Sequence, residues 1–82
     1  MPTVFRFAGV CAVIYPNDHR PAHIHVVGNG CETVFNLHCP HGPVELRENF
    51  GFGLKELSRN EVVLVTNLTL MRREWESLHG EW

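Results

Sequence analysis

Asn29-Gly30 is the feature of this sequence that most constrains its fold, because the dipeptide predicts a tight two-residue turn. Both central residues of a type I′ turn need a positive φ, which this dipeptide adopts readily. The apolar and β-branched residues on either side predict two antiparallel strands in which Gly28 faces Cys31 and Ile24 faces Phe35. The turn therefore determines which side chains share each face of the hairpin.

This register separates an apolar face from a polar one. The apolar face, which we expect to point into the core, carries Ala22, Ile24, Val26, Thr33, Phe35 and Leu37. The opposite face carries His23, His25, Val27, Glu32, Val34, Asn36 and His38. Successive side chains of a strand point to opposite faces, so the two histidines of the first strand project together, about 7 Å apart at Cα. Asn36 is expected directly opposite His23, with His38 diagonal to it, and these residues with His25 are the predicted binding residues.

Three further segments complete the predicted sheet. Residues 3–7 and 10–15 are β-branched and aromatic and predict a hairpin across Ala8-Gly9. Its expected core face carries Phe5, Phe7, Val10, Ala12 and Ile14. Residues 44–46 predict a short edge strand, and the proline-bounded stretches 16–21 and 38–43 predict loops.

The second half of the chain predicts a helix. Ser58 and Glu61 have the spacing of a capping box, and Leu57 and Val62 have that of a hydrophobic staple. Apolar residues then recur every three or four positions, at Leu64, Leu68, Met71, Trp75 and Leu78. We therefore expect an α+β fold, an antiparallel β-meander of four to five strands with one long C-terminal α-helix packed on the sheet.

Length and composition predict a single small domain. The 82 residues fit one unit, 1–82, with the sheet in 1–46 and the helical part in 54–80. A net charge of −2 gives no basic surplus for binding nucleic acid. Three cysteines cannot all pair, and the first residues lack the pattern of a secretory signal, so we expect a cytoplasmic protein. The longest apolar run, 10–15, is too short to span a membrane.

Several segments carry a family resemblance. They are the opening residues 1–6, the strand Pro21-Ala22-His23-Ile24-His25-Val26, and then residues 43–46, 51–52, 54–57 and the helix with Trp75. Together they resemble the small prokaryotic proteins known as domain of unknown function 4160. The resemblance implies a protein with no settled activity, often encoded beside another small protein in toxin–antitoxin-like or mobile-element arrangements. The chain departs from the family pattern at Ala22, where a second proline is common, and in its loop His38-Cys39-Pro40-His41.

The paired strand histidines are the main chemical candidate. Two imidazoles on one face suit a metal ion, for which His38, Cys39 or His41 would supply a third or fourth ligand. This set of candidate ligands lacks the CxxC and HxxxH spacings that mark strong zinc sites, so we expect no tightly bound cofactor. The alternative interpretation is that both histidines are strand residues hydrogen-bonded to Asn36, Glu32 or the backbone.

For function, we expect a small accessory or regulatory binding protein that acts through a protein partner, as a toxin–antitoxin-like component or a mobile-element inhibitor. The sequence contains no nucleophile motif, glycine-rich phosphate loop or paired carboxylates that would indicate an enzyme. The rival hypothesis is a ribonuclease-like toxin that uses His23 and His25 as general acid and base, with Arg20 or Arg6 neutralising the phosphate. A homodimer is a further alternative, and Cys39 is a candidate reactive thiol.

Overall fold

The computed structural model describes residues 3–82 and shows a five-stranded antiparallel sheet followed by two helices. The strands lie side by side in chain order: β1 (Thr3–Phe7), β2 (Val10–Val13), β3 (His23–Gly28), β4 (Cys31–Asn36) and β5 (Glu45–Phe50). The helices are α1 (Leu54–Thr66) and α2 (Leu68–His79). The predicted α+β meander is confirmed, whereas the prediction of one long helix is wrong.

The turn residues set the registers of the first two hairpins. β1 and β2 join through Ala8-Gly9, as predicted. In the β3–β4 hairpin His23 faces Asn36, and the φ angles of Asn29 (53°) and Gly30 (76°) are both positive, as a type I′ turn requires. The alternation of side chains along β3 and β4 is therefore the one that the turn predicts.

One face of the sheet packs with both helices around the core. All six residues predicted for the apolar face of the second hairpin are buried: Ala22, Ile24, Val26, Thr33, Phe35 and Leu37. From the first hairpin, Val10, Ala12 and Ile14 are buried, with Phe5 and Phe7 packed against them. The helices contribute Leu64, Met71 and Trp75 to the same core. Burial of this apolar surface is the main force that holds the helices on the sheet.

Asn67 divides the helical part into two helices. Its backbone is not helical (φ −108°, ψ 18°), so α1 ends at Thr66 and α2 begins at Leu68. Its side-chain Nδ2 donates to the carbonyl of Val63 at 2.8 Å, which satisfies an acceptor at the end of α1. Asparagine favours such positions because its side chain competes for backbone hydrogen bonds. The apolar periodicity of the sequence continues across Asn67 and therefore does not predict the break between the two helices.

The first helix also begins earlier than the capping box at Ser58 predicts. Leu54 is its first residue, and Oε1 of Glu56 accepts the amide hydrogen of Gly53 at 3.3 Å. Ser58 therefore lies inside α1, and Val62, assigned to the hydrophobic staple, is 65% exposed. Neither helix within residues 3–82 is long and apolar enough to cross a membrane.

The strand β5 is longer than the predicted segment 44–46 and forms one edge of the sheet. All six of its residues are exposed. Its pairing with β4 skips Arg47, because Val34 faces Glu48 while Phe35 faces Leu46. This bulge changes the alternation in mid-strand, which is why the sequence pattern shows only the first part of the strand.

Candidate functional site

Asp18, His23 and His25 form a compact group, here called the Asp–His–His cluster. His23 and His25 lie two residues apart in β3, and their ring centroids are 5.2 Å apart. Asp18 comes from the loop between β2 and β3. One ligand atom from each residue lies within 4.8 Å of the other two. The side chains are only 7%, 15% and 13% exposed for His23, His25 and Asp18, so the cluster is largely shielded from water.

A turn at the end of β2 holds the carboxylate of Asp18 in place. The Asp18 amide donates to the carbonyl of Tyr15 at 3.1 Å, and Oδ2 of Asp18 accepts the amide hydrogen of Tyr15 at 3.0 Å. Aspartate stabilises turns by such contacts to nearby backbone. The carboxylate is thereby directed at both rings: Oδ2 lies 3.2 Å from Nε2 of His25, and Oδ1 lies 3.5 Å from Nε2 of His23.

Each histidine has a separate partner for its other ring nitrogen. Nδ1 of His23 lies 2.8 Å from the carbonyl oxygen of Pro21, and Nδ1 of His25 lies 3.0 Å from Oε2 of Glu32. A carbonyl oxygen only accepts, so Nδ1 of His23 donates its hydrogen to Pro21. His25 has a carboxylate at each ring nitrogen, so in its neutral form either Nδ1 donates to Glu32 or Nε2 donates to Asp18. With the hydrogen on Nδ1, the Nε2 atom of each neutral ring carries a free lone pair directed at Asp18. A metal ligand usually has this arrangement, in which the outer partner fixes the tautomer and the ring orientation.

The charge balance of the cluster favours a cation. Two carboxylates, Asp18 and Glu32, surround two imidazoles. With both rings neutral, the local charge is −2 from one unit on each carboxylate, which a divalent ion would neutralise. Without an ion, the Nε2 atoms face the carboxylate only if they are protonated, because two acceptors repel each other. The geometry of the cluster is therefore suited to a cation between the rings and the carboxylate.

The two histidine–carboxylate distances are compatible with a small tetrahedral ion. Bonds of 2.0–2.1 Å from zinc to nitrogen and oxygen place neighbouring ligand atoms about 3.3 Å apart. The two histidine–carboxylate distances given above, 3.2 Å and 3.5 Å, bracket that value. Three protein ligands leave a fourth position for water or another molecule.

Aromatic side chains surround the two histidines. The Trp75 ring of α2 lies 5.3 Å from that of His23, and the Tyr15 ring lies edge-on to His25 at 4.8 Å. Trp75 also packs on His79, 4.2 Å away. These rings exclude water on their side of the cluster, and electrostatic interactions are stronger where water is excluded.

The other predicted metal ligands lie apart from the cluster. Nε2 of His38 donates to Oε1 of Glu45 at 2.8 Å, and this bond holds the pKa of the Glu45 carboxyl below its usual range. Cys39 is half-buried, and burial raises the pKa of its thiol. His41 is exposed. Among residues 3–82, the Asp–His–His cluster is the only group of three or more metal-ligating side chains that converge.

Asn36 faces His23 in the register, but the His23 ring hydrogen-bonds to backbone instead. The Asn36 Oδ1 atom is buried and has no hydrogen-bond partner within residues 3–82. The two basic residues proposed to neutralise a phosphate also lie elsewhere. Arg20 pairs with Glu81 at 2.6 Å, and Arg6 lines a separate cavity beside the β1–β2 turn.

Asp18 is the cluster residue that the sequence patterns do not identify. It lies in the proline-bounded segment 16–21, which predicts a loop and nothing more. The available signal is its position, five residues before His23 in a loop that leads directly into the His-x-His strand. The Asp18 carboxylate therefore takes the third position beside the two histidines, which the sequence pattern assigned to the loop at His38–His41.

Comparison with known proteins identifies a family without assigning an activity. No curated protein and no solved structure matches the chain. The family described as Domain of unknown function (DUF4160) matches residues 9–76, a range that contains the whole Asp–His–His cluster and Trp75. This match confirms the resemblance seen in the sequence, and the chain therefore belongs to the DUF4160 family.

Proposed function

We propose that this protein binds a divalent transition-metal ion through Asp18, His23 and His25, and that zinc is the ion that fits best. One observation carries the proposal. The Nε2 atoms of both histidines converge on the Asp18 carboxylate while their Nδ1 atoms are occupied by Pro21 and Glu32. The ligands are thus oriented by the folded chain before an ion arrives.

The ligand types support a transition metal over magnesium or calcium. Imidazole nitrogen suits zinc, copper, iron and nickel, whereas magnesium and calcium prefer shells made of oxygen. Structural zinc sites usually have four protein ligands, but this cluster offers three. The proposed ion therefore keeps a position for water or for a ligand from another molecule.

The same contacts also fit a purely structural role without metal. In that case His25 is an imidazolium held between Asp18 and Glu32, 3.2 Å and 3.0 Å from their carboxylates. Zinc binding separates the two interpretations, because an imidazolium has no lone pair for a metal.

Isothermal titration of the metal-free protein with zinc chloride at pH 7.5 tests the proposal. We expect one ion per chain. His25→Gln and Asp18→Asn should weaken binding by more than about 100-fold, and Glu32→Gln by about 10- to 100-fold, the usual effect of losing an outer partner. His38→Gln is the matched control, since it changes a histidine that also contacts a carboxylate but lies outside the cluster. Equal affinity of the His25→Gln and wild-type proteins would rule the site out.

An apolar surface beside β5 supports the expected protein partner as a second candidate function. A cavity between β5 and α1 is lined by four apolar residues and two polar ones: Phe35, Leu46, Leu54, Leu57, Ser58 and Glu61. Leu54 is 84% exposed. Val65, also exposed, lies on the same side of α1 by helical periodicity. Exposed apolar side chains beside a free strand edge are typical of protein-binding surfaces. Such a surface suits an accessory protein of the toxin–antitoxin or inhibitor kind.

Co-purification from the native host tests this second candidate. We expect one stoichiometric partner that the Leu54→Lys variant loses, while light scattering of the isolated protein distinguishes a homodimer from a separate partner. Retention of the partner by Leu54→Lys would exclude this surface. The ribonuclease-like alternative has less support, because the carboxylates of Asp18 and Glu32 beside the histidines repel a phosphate.

A further inference from the structure

The residues that follow α2 are bonded to the loop between β2 and β3. The amide of Ala22 donates to the carbonyl of Trp82 at 3.2 Å. Nearby, Nη1 of Arg20 pairs with Oε2 of Glu81 at 2.6 Å. Arg20 and Ala22 lie between Asp18 and His23 in the sequence. Their contacts with residues 81 and 82 therefore restrain the backbone segment that joins these two cluster residues.

The other end of the same loop is also held from α2. Nε2 of His79 donates to the carbonyl of Tyr15 at 3.2 Å. The amide of Tyr15 is the group that fixes the Asp18 carboxylate. Residues 79–82, here called the clasp, therefore contact the loop on both sides of Asp18.

The clasp is itself fixed by α2. The indole Nε1 of Trp75 donates to the carbonyl of Glu81, and Nε1 of Trp82 donates to Oε2 of Glu76 at 2.8 Å. Gly80 ends the helix with φ at +81°, a conformation that glycine adopts without strain and that turns the chain back. The clasp thus links the helix that packs on His23 to the loop that carries the third ligand.

We infer that the clasp positions the metal-binding loop, so that clasp closure and metal binding strengthen each other. The inference rests on the proposed metal site. No clasp residue belongs to the cluster, so these are positioning residues that act through Tyr15 and Ala22. Coupling between two sites is reciprocal, and the factor by which the clasp raises metal affinity is the factor by which metal favours the closed clasp.

The clasp contacts are expected to differ in how much each contributes to stability. The Arg20–Glu81 pair is mostly exposed, with side chains 63% and 74% accessible, so its contribution is small. The Ala22 amide belongs to a residue that is 2% exposed, and a buried donor without a partner is destabilising. The hydrogen bond to Trp82 and the indole contact that holds Glu81 are therefore the ones to test.

Two measurements on the full-length protein test the inference. The first is zinc affinity, by competition with a chromophoric chelator, for two variants that loosen the clasp. Trp82→Ala removes the indole bond to Glu76 that holds residue 82 in place, and Trp75→Phe removes the indole bond to Glu81 while keeping an aromatic ring near His23. We expect affinity about 5- to 10-fold lower, at the lower end of the range for coupled sites. Leu70→Ala is the matched control, because Leu70 lies on α2 and is as exposed as Trp82, at 41%.

The second measurement is amide hydrogen exchange at Ala22 in the wild-type protein, which leaves every clasp residue unchanged. Zinc should slow exchange at Ala22 by a similar factor, and His25→Gln should abolish the effect. Zinc binding without a change at Ala22, or an equal affinity loss in Leu70→Ala, would overturn the clasp while leaving the metal site intact. A wild-type protein that fails to bind zinc would overturn both.

Discussion

The indole of Trp75 packs against the imidazole of His23, with 5.3 Å between the ring centroids. Trp75 is buried, whereas the other tryptophan of the chain, Trp82, is 41% exposed. An ion with unpaired d electrons bound at His23 would lie close to Trp75 and quench its fluorescence. We expect Co²⁺ to quench mainly the short-wavelength emission of the buried indole and to saturate at one equivalent. Equal quenching of a His25→Gln variant would place the ion elsewhere.

Zinc should raise the melting temperature at pH 7.5 and leave it unchanged at pH 5. A histidine must be neutral to coordinate a metal, and imidazole ordinarily takes up its proton near pH 6.5, so metal affinity falls as the pH drops. At free zinc about 100 times the Kd, the stabilisation is about 2.7 kcal/mol. For a domain of this size that is a rise of roughly 10 to 20 °C. Differential scanning calorimetry with zinc and with chelator checks it, and an equal rise at both pH values would contradict it.

Cys39 should react slowly with alkylating reagents. Burial raises the pKa of its thiol, with Arg72 opposing the shift and Glu76 reinforcing it, so less of the reactive thiolate is present at neutral pH. In a Cys11→Ser/Cys31→Ser protein, we expect iodoacetamide at pH 7.5 to modify Cys39 more slowly in the folded state than after unfolding in urea. As the pH is raised, the alkylation rate of Cys39 in the folded protein should keep rising beyond the pH at which the rate in the unfolded protein has become constant. Faster reaction in the folded state would show an activated thiol instead.

Truncation to alanine should lower the stability of the protein much more at Leu64 than at Asn60. They lie one turn apart on α1 and are both buried, but neither amide atom of Asn60 has a hydrogen-bond partner within residues 3–82. Leu64→Ala should destabilise the protein by about 2–5 kcal/mol through lost packing. Asn60→Ala removes two unsatisfied polar groups and adds helix propensity, so its stability should stay within about 1 kcal/mol of the wild type or exceed it. Urea unfolding of both variants measures the difference, and a loss at Asn60 as large as at Leu64 would reveal a bound water or partner there.

The turn at Asn29-Gly30 explains why the sheet was predictable. Once the turn is centred, the strict alternation of a strand determines the face of each residue in β3 and β4. That logic placed His23 and His25 together and Asn36 opposite His23, as the structure shows. Local patterns succeed here because turn and pairing depend on neighbouring residues.

Features that depend on single polar side chains or on distant segments were not predictable. Asn67 divides the helices by one side-chain hydrogen bond, which apolar periodicity does not register. Asp18 reaches the histidines only because its loop folds back over β3. The contact from His79 to Tyr15 joins residues 64 positions apart, and no spacing rule relates them. The third ligand and its support therefore follow from tertiary structure.

The Asp–His–His cluster draws all its ligands from eight consecutive residues, Asp18 to His25. Bringing them together closes only a short loop, and the entropy lost in closing a loop grows with its length. A metal ion would therefore find an approximate site in a chain whose long-range strand pairs have not yet formed. An ion that also binds the unfolded chain stabilises the native state less. The stabilisation by zinc should therefore fall below the value that the affinity of the folded protein alone would give.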